Sequence, residues 1–377
     1  MKTPDRLRPW IAIAVGGILA GVIGGSMVRL LDWVQVLAYG LNAASLLLEI
    51  EQASSLRRVL APTLGGLLVG LGWWALSRRG DMPSVDDLRA TTPARTPLWR
   101  PMADGLLQTA LVGAGASLGR EGAPRLAAAA VGARLATRLG LEAAQARTIV
   151  AGAAGAGLTA AYNVPLAGVI FGVGLTRRWR EPGVWTQCLA ISLIATVVAW
   201  PLIGTQPTYV YPVNVSLDIT TLGWAVAAIP CCALVGIGFR SLSVRARSFA
   251  AGGRLRSLPL WPVWAIGVAG ALTGVASVWL PMLPGNGKDM MQAAFDASAP
   301  TQVFAILLIA KPLATAFYLA CGARGGLLTP SLSTGAALGV VAAWAASGAG
   351  LDADPAVFAL LASAGTLAVT QQSPMLA

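Results

Sequence analysis

Long apolar runs alternate with short polar linkers along this chain of 377 residues. Runs near Ile11 to Leu30, Leu60 to Leu76, Trp185 to Ile203, Leu222 to Phe239, Val263 to Leu280, Val303 to Ala320 and Leu332 to Leu351 each approach the about 20 residues with which an α-helix crosses a bilayer. The first run follows a basic start but meets no convincing small-residue cleavage site, so it reads as an uncleaved first helix. Between Gly105 and Leu175 the chain is rich in Gly and Ala and is broken by Pro124 and Pro165. That stretch predicts discontinuous helices.

Five places share one grammar, a Gly or polar linker running into a proline: Asp81-Met82-Pro83, Gly122-Ala123-Pro124, Asn163-Val164-Pro165, Leu328-Thr329-Pro330 and Gln372-Ser373-Pro374. Proline fits the first helical position because its missing N–H would have no intrahelical acceptor there. Each place is therefore a predicted helix start at membrane depth. Ser84 with Asp87 matches the S-x-x-D capping box, and Asn163 and Thr329 are good N-cap types.

Taken singly, such places are ordinary loop-to-helix punctuation. Their spacing points further: Gly80 and Gly285, Pro124 and Pro330, and Pro165 and Pro374 are separated by 205, 206 and 209 residues. Nearly equal offsets imply a duplicated unit, with repeat 1 at about 40–204 and repeat 2 at about 222–377. Broken helices at matching points of two membrane repeats mark a midplane binding site. The expected fold is therefore all-α, a single polytopic transmembrane domain over 1–377 with broken helices meeting near the midplane. By comparison with the first repeat, the second is expected to be incomplete, stopping roughly 35 residues early.

Composition agrees. Only 11% of residues are charged and 56% are hydrophobic, against about 25% charged in a typical soluble domain. The net charge of +11 reads as orientation, not nucleic-acid binding. Basic residues gather in short linkers (Lys2, Arg6 and Arg8; Arg78 and Arg79; Arg177, Arg178 and Arg180; Arg240, Arg245, Arg247, Arg254 and Arg256). The positive-inside rule places these on the cytoplasmic side, with the N-terminus. No aromatic and basic interleaving of the kind that stacks bases is present.

Histidine is absent, which removes imidazole relays, His-ligated metals and Ser-His-Asp triads. Cys188, Cys231, Cys232 and Cys321 lack CxxC spacing and read as buried thiols. No enzyme, metal or cofactor is expected.

The broken helices carry the chemistry. A helix N-terminus presents N–H groups with no intrahelical partner and roughly +0.5 of a charge. Several such ends converging in a low-dielectric interior hold a small anion without a lysine, and the Gly-rich approaches 119–122 and 322–326 bring backbone close to it. Glu121 is an acid within this apolar region, where a charge costs about 2.5 to 3.5 kcal/mol at a helix centre. Two readings stand: a carboxylate that takes the anion's seat when ionised and leaves when protonated, or a local ion pair with Arg120.

The segments Gly119-Arg120-Glu121-Gly122-Ala123-Pro124, Gly157 to Gly168 (GLTAAYNVPLAG), Gly285-Asn286-Gly287-Lys288 and Gly325-Gly326-Leu327-Leu328-Thr329-Pro330 resemble, in order, the pore segments of the CLC chloride channel and transporter family. Lys311-Pro312-Leu313-Ala314-Thr315-Ala316 also looks like that family's bacterial members. The resemblance runs from about Leu60 to the end. It implies a homodimer in the cell membrane with one pore per subunit, each pore built from two antiparallel halves, that is, inverted-topology repeats. It implies that Glu121 is the gating glutamate and that the N–H groups of Leu327 and Leu328 bind chloride. Gly80, Gly122 and Ala123 would line the path with backbone groups. Arg120 and Lys288 would add positive potential, a plain snorkelling role being the alternative for both.

Three departures from the family pattern shape the expected function. Gly80 stands where the first pore loop typically has a serine hydroxyl. Leu175 stands where proton-coupled exchangers carry an inner glutamate, with water or another acid such as Asp86 as the alternative route. The family's pore tyrosine falls beyond Ala377, and neither Tyr209 nor Tyr211 is placed to replace it. No cytoplasmic nucleotide-binding module of the kind some relatives carry is expected. Passive chloride conduction is the expected activity. The alternatives are a proton-coupled chloride or fluoride antiporter of the same fold, or a non-transporting membrane scaffold.

Overall fold

A computed structural model describes residues 7–40, 45–78, 80, 82–90, 97–211, 219–252 and 258–372. Lys2, Arg6, Arg79, Asp81, Arg254, Arg256, Ser373 and Pro374 lie outside the described residues, and so does the predicted helix start at Pro374.

The described residues form fifteen helices in chain order: α1 (Arg8–Tyr39), α2 (Leu46–Gln52), α3 (Ser55–Ser77), α4 (Val85–Ala90), α5 (Trp99–Gly113), α6 (Gly122–Arg138), α7 (Ala143–Tyr162), α8 (Pro165–Thr176), α9 (Pro182–Ile203), α10 (Ile219–Gly252), α11 (Trp261–Ala276), α12 (Lys288–Phe295), α13 (Thr301–Ala320), α14 (Leu328–Gly348) and α15 (Pro355–Gln371). The only extended pairing among them is an isolated bridge. Six helices, α1, α3, α9, α10, α13 and α14, are long and apolar enough to cross a membrane, so the all-α, multi-pass expectation holds. The run expected at Val263–Leu280 is shorter. Helix α11 stops at Ala276, and turns lead into Pro281 and Pro284, whose rings cannot continue a helix.

The chain divides into two compact units. The first comprises Met1–Asp32, Ala75–Thr109 and Glu121–Thr208. At its centre lies α7, in which every residue from Thr148 to Tyr162 is buried. Its composition explains this: Ala and Gly expose so little side chain that α6, α8 and α9 pack closely on it. Between α7 and α8 the approach is so close that a Cβ on Gly155 would overlap the Gly168 carbonyl.

The second unit comprises Trp33–Trp74, Ala110–Arg120 and Tyr209–Ala377. Helix α10 shows how its spans are two-faced. Thr221, Trp224, Ala228, Cys232, Gly236 and Phe239 form a buried stripe at helical spacing, whereas Val226, Ile229, Leu234 and Ile237 are exposed. The stripe packs on α15, where Trp224 stacks on Phe358 with ring centroids 4.8 Å apart. An exposed face of branched aliphatics is a liability in water and the natural surface in lipid. At 34 residues α10 is about 51 Å long at the usual rise, against about 30 Å of hydrocarbon. Its far end, with Arg240, Arg245 and Arg247, therefore extends past the apolar layer.

Candidate functional site

The helix starts differ from the grammar expected of them. Pro165 is the first residue of α8, as predicted. Pro124 and Pro330, however, are the third residues of α6 and α14, which begin at Gly122 and Leu328. Proline is equally harmless there, since the third N–H of a helix also lacks an acceptor within it. Pro83 precedes its helix, whose cap is the expected box. Ser84 N donates to Asp87 Oδ2 at 2.8 Å, and Asp87 N donates to Ser84 Oγ at 3.1 Å.

Asn163 and Thr329 do not act as N-caps. Thr329 lies inside α14, behind the N-cap Leu327. Asn163 closes α7 in the left-handed conformation, φ 55°, which Asn tolerates better than most residues. Its side chain is fully used: Nδ2 donates to the carbonyls of Thr205 and Gln206 at 3.0 and 3.1 Å, and Oδ1 accepts from Trp200 Nε1 at 3.1 Å. The N-cap of α8 is Val164, which has no side chain to cap with.

Within the first unit, Glu121 is wholly buried and occupies the N-cap position of α6. Its carboxylate makes no capping bond to that helix. Instead, Oε2 accepts from the Tyr162 hydroxyl at 3.4 Å. Arg125, one turn along, donates through Nε to the Glu121 carbonyl at 3.0 Å, and its guanidinium lies over the Phe171 ring, 4.9 Å from the centroid. Gly122 and Ala123 follow as the first two residues of α6. The sequence reading missed Tyr162 and Arg125. The signal for Arg125 was its place one helical turn after Glu121.

Gly80 is exposed and has φ +106°, a conformation that glycine adopts freely. Its carbonyl accepts from Arg100 Nη2. Asp86 is exposed and pairs with Arg89 at 3.1 Å. Leu175 packs into an apolar cluster with Leu88, Leu126 and Phe171. A different buried acid of this unit is Asp104 on α5, 1% exposed, whose Oδ2 accepts from Gln108 Nε2 at 2.9 Å.

In the second unit, Gly119 and Gly326 form the bridge, donating to each other's carbonyls at 2.8 and 2.9 Å. Leu327 is the N-cap and Leu328 the first residue of α14. The next turn binds its hydroxyls locally, Ser331 Oγ donating to Leu328 O at 2.8 Å and Thr334 Oγ1 to Pro330 O at 2.7 Å. These two hydroxyls are thus turned back onto their own helix, and the N-cap Leu327 makes no side-chain cap bond. Lys288 begins α12, and both it and Arg120 lie within electrostatic reach of Asp289, as does Lys311. Three basic groups around one acid leave the region net positive. Asp289 Oδ2 also accepts from Leu47 N at 2.9 Å. Lys311 is fully buried in α13 and donates to the carbonyls of Leu283 and Gly285, both at 2.8 Å. Tyr209 and Tyr211 both pack edge-on against Phe295.

The sequence from 72 to 377 matches the family model described as voltage gated chloride channel. The voltage-gated ClC-type chloride channel ClcB of Shigella flexneri is 30% identical over 346 residues, spanning 89% of this chain and 79% of that protein. ClcB of Escherichia coli strain SMS-3-5 is 29% identical over the same length and shares of the two chains. Among solved structures, a slow cyanobacterial Cl⁻/H⁺ antiporter superposes with a TM-score of 0.81 at 21% identity, over 98% of this chain and 87% of that one. A CLC-type fluoride/proton antiporter gives 0.72 at 20% identity, over 97% and 88%.

Proposed function

Because the chain belongs to the voltage-gated chloride channel family, we propose that it conducts chloride and related small anions passively, through a path of backbone N–H groups gated by Glu121. The observation that carries this reading is Glu121 itself: a wholly buried carboxylate at the N-cap of α6 that makes no capping bond to that helix. An intramembrane acid is costly, and one retained there marks a functional position. Leu327 and Leu328 supply donors at the start of α14, Gly122 and Ala123 at the start of α6, and Gly80 at the first loop. Arg120 and Lys288 raise the local anion concentration. This assignment rests on the family and on each helix start taken by itself.

Conduction is favoured over exchange because Leu175 sits among apolar side chains, with no carboxylate there to pass protons inward. A proton-coupled chloride or fluoride antiporter is the second reading. It is supported by Asp104, a second buried acid in the same unit, and by relatives of this fold described as antiporters. The protein acts as a homodimer in the cell membrane with a cytoplasmic N-terminus, and as an anion pathway, not an enzyme.

The test is reconstitution in liposomes under a chloride gradient, following chloride and proton movement together, with Glu121→Gln alongside. Chloride flux without proton movement supports conduction. A fixed ratio of protons to chloride establishes the antiporter. A properly folded protein that moves no anion is a scaffold.

A further inference from the structure

Tyr162 is 5% exposed and stands at the last turn of α7. Its backbone is pinned from two sides. Thr208 Oγ1 donates to its carbonyl, and the adjacent Asn163 is tied to Trp200, Thr205 and Gln206. The ring therefore projects from a fixed base. Its hydroxyl is directed at the Glu121 carboxylate, 3.4 Å from Oε2.

We infer that the Tyr162 hydroxyl is a side-chain ligand of the transported anion, donating its hydrogen to the halide that replaces the Glu121 carboxylate. The inference deepens the gate reading of Glu121 and rests on it. If the carboxylate holds the anion's seat, then the group donating to the carboxylate faces that seat. When the carboxylate leaves, the phenol loses that bond, and losing a buried hydrogen bond to a charged group is costly. A halide entering the same place restores the bond. Gly80 brings no hydroxyl to the path. Tyr162 brings one from another element.

The experiment is chloride titration by calorimetry on purified protein, comparing wild type, Tyr162→Phe, Glu121→Ala and the double variant, with melting curves to check folding. Tyr162→Phe removes one oxygen and conserves shape. In the Glu121→Ala background, where the seat is vacant, it should weaken chloride binding about tenfold, as for loss of a bond to a charged group. In the wild-type background the loss should be smaller, because the same hydroxyl also steadies the competing carboxylate. Equal affinity of Glu121→Ala and the double variant overturns the inference, as does a lower melting temperature with unchanged affinity, which marks a purely structural tyrosine. If wild type and Glu121→Ala both fail to bind chloride and to pass it in liposomes, the anion-pathway reading itself fails and takes the ligand with it.

Discussion

Gly119 and Gly326 are joined by two backbone hydrogen bonds of 2.8 and 2.9 Å, although 207 positions separate them in the chain. Each sits just upstream of a helix start, Gly119 three residues before Gly122 and Gly326 two before Leu328. The pairing needs bare backbone beside it. A Cβ on Gly325 would lie 2.9 Å from the Cβ of Leu118, an atom close to the main chain that cannot swing aside. Gly325→Ala should therefore cost about 1 to 3 kcal/mol of stability, as overpacking does, and reduce chloride flux in liposomes. Flux and melting temperature equal to wild type would show that the loop shifts without consequence.

Lys311 is a buried group of the second unit whose ammonium bonds two loop carbonyls from inside an apolar helix. Lys311→Met should strand both carbonyls and remove a neighbouring cation from Asp289. Removing one partner from a buried charged set costs about 3 kcal/mol or more. A lowered melting temperature in detergent, partly recovered by adding Asp289→Asn, is the expected outcome. A Lys311→Met protein melting with the parent would refute the structural role.

The Ser84 and Asp87 box caps α4 through reciprocal bonds to each other's backbone N–H. Ser84→Ala should cost about 1 kcal/mol. Ser84→Gly should cost less, since glycine is itself an acceptable N-cap. Hydrogen exchange at the amides of 84–88 reads the loss locally, and unchanged protection in Ser84→Ala would contradict it.

Between α8 and α9, Arg178 Nε donates to Glu181 Oε1 at 2.6 Å. This bond holds the Glu181 carboxyl below the usual glutamate range. Stability from the pair is thus present above the unfolded value of about 4.3 and disappears as pH falls through the lower folded value. The pair is exposed, so Glu181→Gln should melt within about 1 °C of the parent at pH 7. The two melting curves should converge below pH 4, and a gap that widens on acidification would reverse the sign.

The pattern of apolar runs, the capping residues and the prolines located most of the helices, because those signals act within a turn or two of chain. Ser84 meets Asp87 three residues on, and Pro165 opens its helix on local sterics alone. The order of pore segments pointed to the family for the same reason, as each is a short contiguous string. Asn163 shows where local rules run out. Its residue type suits either end of a helix, and the partners that settle the matter lie 37 to 43 residues away.

The same limit governs the site. The position of Glu121 was readable as an acid in an apolar stretch, yet its tyrosine partner stands 41 residues later. Lys311 stood in the sequence only as the start of a family-like segment, and the carbonyls it binds lie 26 and 28 residues upstream. Helix propensity, capping and lipid-facing stripes are paid for locally and so can be read in one dimension. Which buried donor meets which acceptor is settled by packing across long chain separations, because a polar group removed from water must find its partner wherever folding places one.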